Sequence, residues 1–133
     1  MKLCRKSILL CYLFVLPVAL FMAIYPNFIL RIFTDNIRLI TYSIPPLLVM
    51  LSSYLIAVPT FVWFCAVSGT GNTLSSLRIA VVSLIIYISY ITTVASYIPN
   101  LVLLWASEHI YFSGLLILSL YFLLYHNWKR TKL

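Results

Sequence analysis

The sequence predicts an all-α integral membrane protein with four transmembrane helices, and three observations carry that prediction. The chain has 133 residues, of which 64% are hydrophobic and 8% charged, against about 25% charged in a soluble globular domain. A single core of this size cannot hide so much apolar surface from water. Four apolar stretches follow one another, over residues 7–30, 45–67, 76–98 and 109–128, each at or above the ~20 residues that cross a ~30 Å hydrocarbon layer. The basic residues gather at the two ends, at Lys2, Arg5 and Lys6 and at Lys129, Arg130 and Lys132. Helices must make these spans, because four strands cannot close a barrel and an open sheet leaves backbone groups unsatisfied in lipid.

The whole chain, 1–133, reads as one membrane region with helices over about 7–32, 37–67, 75–98 and 109–128. The first segment has a basic start and an apolar core, as a signal peptide has. Its apolar stretch exceeds the about 7–15 residues of a signal core, and no small-residue cleavage site follows, so it reads as a span. Between the first two segments lies "RIFTDNIRLITYSI". There Asp35 is a natural N-cap for a helix beginning at Asn36, or Ser43 caps and the Pro45-Pro46 pair opens the helix. Pro17 and Pro59 predict kinks, since an interior proline frees a carbonyl that a neighbour must satisfy. Between the second and third segments Gly69 ends one helix and Asn72 or Thr73 caps the next. The last connection, "PNLVLLWASE", reads as an interfacial elbow anchored by Trp105.

Charge sets the expected topology. If the first helix starts inside, seven of the nine basic residues lie on inner segments and two, Arg31 and Arg38, outside. Both acids, Asp35 and Glu108, then fall outside and both termini are cytoplasmic. Trp105 and Tyr111 would sit at the outer interface, Tyr125 and Trp128 at the inner one. The net charge of +7 reads as lipid anchoring rather than nucleic-acid binding, because no basic groove or soluble motif accompanies it.

"GTGNT" is not a phosphate-binding loop: no Gly-Lys-Ser/Thr follows it and no strand precedes it. Cys4, Cys11 and Cys65 have neither disulfide nor metal spacing and read as small buried hydrophobes. His109 and His126 stand alone, too few for a metal site. No nucleophile–base arrangement is present, so the chain is not read as an enzyme. In the third segment Ser83, Tyr87, Tyr90 and Tyr97 share one face, with Ser89, Thr93 and Ser96 beside it. That stripe is either a helix–helix contact or the lining of a cavity in which tyrosine rings stack on flat cations. Arg78 reads as a positive-inside anchor. No carboxylate lies mid-span; Glu108, at the start of the last helix, is the candidate titratable group.

Taken in order, "FILRIFTDNIRLI", a proline-bearing helix and "AVSGTGNTLSSLR" resemble the multidrug and toxin extrusion (MATE) family of the MOP flippase superfamily. Each lobe of that family has a segment similar to ILxxFTxDxxV, matched here by Ile29, Leu30, Phe33, Thr34 and Asp35. Further on comes a G-x-G-D/N-T loop facing the cytoplasm, matched by Gly69, Gly71, Asn72 and Thr73, with Arg78 after it. The close of the chain is similar in its Trp105, Glu108, Trp128, Lys129 and Arg130. The resemblance implies the last four helices of a second lobe, with both termini in the cytoplasm of a bacterial inner membrane. It implies secondary active efflux of amphipathic or cationic compounds in exchange for H⁺ or Na⁺, with no other cofactor. It further implies a fragment lacking the first lobe and the start of the second, not competent alone, whose partners are lipid and the missing helices. Two alternatives stand beside it. One is a small four-helix protein that binds other membrane proteins. The other is a polysaccharide or lipid-linked precursor flippase, disfavoured because no Lys or Arg lies mid-span.

Overall fold

The computed structural model describes residues 2–98 and 100–125. Among these, six helices follow in order: α1 (Lys2–Ile24), α2 (Pro26–Arg31), α3 (Ile37–Ser68), α4 (Thr73–Tyr97), α5 (Leu101–Trp105) and α6 (Ser107–Tyr125). Four stretches are long and apolar enough to cross a membrane: Lys2–Ile24, Ile37–Ser68, Thr73–Tyr97 and Leu101–Tyr125. The expected Trp128 belt residue, His126 and the basic residues at 129–132 lie outside the described residues.

The first span differs from the single helix expected over 7–32. It breaks at Tyr25, which has φ −119° and ψ 53° before Pro26 at the first position of α2. The proline ring crowds the preceding residue out of the helical region, so the helix stops and restarts. The cap of α3 also differs. Asp35 is exposed, and the neighbouring Asn36 side chain accepts from the Arg38 N–H at 3.0 Å and the Leu39 N–H at 3.5 Å. Ser43, Pro45 and Pro46 consequently lie inside α3 rather than at its start. The elbow expected around Trp105 is a short helix, α5, capped by Asn100.

Pro59 sits in the middle of α3 and has no N–H to offer the Leu55 carbonyl four residues back. The Tyr12 hydroxyl of α1 donates to that carbonyl. A bond absent within one helix is thus replaced by a bond between two, as the lipid environment demands of any exposed backbone acceptor.

The best-packed part is the meeting of α3, α4 and α6. Val67, Ile79, Leu115 and Leu123 form its core, with Trp63, Phe64, Tyr111 and Leu118 against it. Buried hydroxyls run through the same contact: Ser53, Thr60, Ser76, Ser83 and Ser119. Small polar side chains let helix axes approach closely where no hydrophobic drive separates protein from lipid. Thr60, fully buried, places its hydroxyl 2.6 Å from the Ile56 carbonyl and 3.1 Å from the Phe112 carbonyl of α6. By contrast α1 and α2 contain no fully buried residue. The cysteines do not behave as the buried hydrophobes expected: Cys4 and Cys11 are half-buried and Cys65 is exposed. A span of this kind meets lipid on much of its surface, so an apolar side chain there gains no burial.

Candidate functional site

The loop between α3 and α4 is built as a tight reversal. Gly69 follows α3 and its N–H donates to the Cys65 carbonyl at 2.8 Å. Gly71 has φ +80° with nothing near its missing side chain, so glycine is required for the backbone and not for space. Asn72 caps α4 by accepting from the Ser75 N–H at 3.1 Å, while Thr73 is the first helical residue. Ser68 and Ser76 clasp the two helix ends with a 3.1 Å hydroxyl–hydroxyl bond. The loop thus sets the angle between two spans; its groups bond to one another.

The α4 stripe is divided by its surroundings. Ser83 is buried opposite Gly114, where an added side-chain carbon would lie 3.7 Å from its Oγ. Tyr87 meets Tyr111 of α6 edge to face, with centroids 5.6 Å apart. Tyr90 donates to the Leu103 carbonyl of α5 at 3.3 Å. Tyr97 stands apart, 82% exposed. Read along the chain, these pairings run α4 and α6 antiparallel. Most of the stripe is taken up by helix–helix contact. Ser89, Thr92, Thr93 and Ser96 return their hydroxyls to carbonyls of their own helix.

At the start of α6, Glu108 lies in the first turn, half-buried. Beside it His109 reaches α3, with Nε2 3.0 Å from Ser52 Oγ. Ser52 spends its single proton on the Val49 carbonyl at 2.7 Å. With the Ser52 proton on that carbonyl, a neutral imidazole donates from Nε2 and keeps Nδ1 as an acceptor. That Nδ1 is buried and finds no hydrogen-bond partner among the described residues. The partner, Ser52, is 57 residues away, beyond what local spacing reveals.

Among the described residues, clefts open between the helices in three places described here. The largest of these, about 540 Å³, lies between α1 and α3 and is lined by Phe14, Val18, Met22, Tyr54 and Phe61 among others. A second, about 180 Å³, is formed where α2, α3 and α5 meet, with Pro46, Met50 and Trp105 in its wall. A third, about 320 Å³, lies between the start of α4 and the end of α6, around Arg78, Tyr121 and Tyr125. None of the α4 stripe lines any of them. The aromatic and methionine side chains of the α1–α3 cleft were not picked out from sequence, because nothing there says which face of α1 meets α3. No group of three or more His, Cys, Asp or Glu side chains converges on a metal position among the described residues.

In comparison with protein families, the model described as MatE aligns with residues 1–93. The matched part runs from α1 into α4 and includes the Gly69–Thr73 loop. The similarity noted for the close of the chain, from Trp105 onward, lies beyond it. No curated protein and no solved structure matches the chain.

Proposed function

The chain belongs to the MatE family of membrane transporters, and on that premise we propose that it takes part in efflux of amphipathic or cationic compounds in exchange for H⁺ or Na⁺. The family match is the observation that carries the reading. The α1–α3 cleft supports it, since its volume of about 540 Å³ falls within the ~300–1,000 Å³ of small-molecule sites. Phe14, Tyr54 and Phe61 offer ring faces to a flat cation, and Met22 adapts to varied shapes. Pro17, Pro45 and Pro59 supply points at which the spans bend as the cavity changes sides.

The four spans hold no mid-span carboxylate of their own, and Asp35 and Glu108 lie at helix ends. Coupling therefore draws on further helices, so the chain acts together with a complementary set rather than alone. Within it, Glu108, with His109 beside it at the start of α6, is the candidate group for proton coupling. By the distribution of positive charge both termini face the cytoplasm of a bacterial inner membrane.

The test is transport in proteoliposomes, with ethidium as the cationic probe and an imposed H⁺ or Na⁺ gradient. The chain alone should move no ethidium. Co-reconstituted with the complementary eight helices of a MATE transporter, it should restore gradient-driven movement, and Glu108→Gln should reduce the H⁺-driven rate. Failure of every combination to move or bind the probe would contradict the reading.

A further inference from the structure

The cleft between the start of α4 and the end of α6 is unlike the other two, because it pairs a charge with an apolar floor. Its wall comprises Ser75 and Arg78 of α4 and Tyr121 and Tyr125 of α6, with Ile79 and Leu118 beneath. The two tyrosine rings lie 5.0 Å apart, tilted at 33°, and both are exposed. Arg78 is exposed too and makes no ion pair among the described residues. Neither acid is near: Asp35 precedes α3, and Glu108 lies thirteen residues before Tyr121 on α6, about 20 Å at 1.5 Å per residue. A guanidinium this close to the end of a span, with hydroxyls beside it, presents five donors to an anion.

We propose that this cleft binds one anionic phospholipid of the adjoining leaflet. Arg78 meets the phosphate, and the Tyr121, Tyr125 and Ser75 hydroxyls donate to phosphate or glycerol oxygens. One acyl chain lies along Leu118, above the buried Ile79. The apolar floor favours a lipid over free phosphate, which would leave that surface without a partner. The cation disfavours a positively charged transport substrate here, so this site is separate from the α1–α3 cleft and does not depend on the transport reading. The lipid would fasten the end of α6 to the start of α4.

Native mass spectrometry of the full chain released from detergent, titrated with phosphatidylglycerol or phosphatidylcholine, reads the bound lipid directly. Phosphatidylglycerol should be retained in preference. Arg78→Gln should lower that preference about fivefold, the effect of one basic residue at a membrane surface. Arg78→Lys and Arg38→Gln, the latter at the opposite end of the spans, should preserve it. Leu118→Trp, which fills the floor, should weaken retention of both lipids, and millimolar inorganic phosphate should not displace them. Should Arg78→Gln lose helix content by circular dichroism, Leu118→Trp and the phosphate competition decide the matter. An undiminished preference in a folded Arg78→Gln chain, full retention in Leu118→Trp, or displacement by inorganic phosphate would overturn the proposal.

Discussion

The two halves of this molecule hold their helices together by different means. Where α3, α4 and α6 meet, apolar side chains and buried hydroxyls fill the interface, with Leu115 2% exposed and Thr60 fully covered. Where α1 meets α3, no residue of α1 is buried and a cleft of about 540 Å³ remains. There the polar link is the bond from Tyr12 to the carbonyl that Pro59 leaves free. In water such a difference would follow from how much apolar surface is hidden. In lipid, hiding apolar surface gains little, and the difference comes from small residues that admit close approach. The α3, α4 and α6 unit carries Ser53, Thr60, Ser83, Gly114 and Ser119; α1 offers Phe14, Val15 and Val18 to its neighbour and stands off.

The comparison can be broken or sharpened by substitution. The largest effect is expected at Leu115→Ala, which opens a void in the tight interface. A loss of about 2 kcal/mol is expected, the low end for such truncations, because the removed methyls would otherwise meet lipid. Unfolding by sodium dodecyl sulfate, followed by circular dichroism, measures it, with Val15→Ala in α1 as the contrast expected to change little. Next comes Tyr12→Phe. It strips the donor from a carbonyl with no alternative in its own helix, so its cost should approach the ~1.7 kcal/mol upper bound for hydrogen bonds between membrane helices. Proteolysis should then release α1 while α3, α4 and α6 stay resistant. Thr60→Val should cost about 0.6 kcal/mol, the average for such bonds, since its own helix supplies the nearer carbonyl. Smallest is Gly114→Ala. The new carbon would sit at ordinary contact from Ser83 Oγ, 3.7 Å away. Stability should hold or rise by up to about 1 kcal/mol, the helix-propensity difference between the two residues.

The spans themselves are legible in the sequence, but which of them pack tightly is not. Four apolar runs announce the spans because span length is fixed by the bilayer, and the Gly69–Asn72 turn is legible because glycine and asparagine have local conformational reasons to be there. Pro59's orphaned carbonyl was foreseeable, whereas its donor Tyr12 was not, being 43 residues away from Leu55. The break at Tyr25 is signalled by Pro26, but the long apolar run around it hides the cue. Asn36 outcompeted Asp35 as cap by one position, a choice that propensity alone does not make. The α4 stripe shows the limit most clearly: periodicity placed Ser83, Tyr87 and Tyr90 on one face, but whether that face lined a cavity or packed on α6 depended on Gly114, Tyr111 and Leu103. The α1–α3 and Arg78 clefts depend likewise on which helices become neighbours.

The central claim is that α3, α4 and α6 form a tight unit to which α1 is loosely joined. Distances between paired spin labels in lipid nanodiscs test it most directly, with Cys4, Cys11 and Cys65 replaced by serine. One pair, on Leu20→Cys and Leu48→Cys, spans α1 and α3; the other, on Ile85→Cys and Ile117→Cys, spans α4 and α6. A broad distribution for the first pair and a narrow one for the second is the predicted result. Equal widths, or a narrower distribution between α1 and α3, would contradict the account.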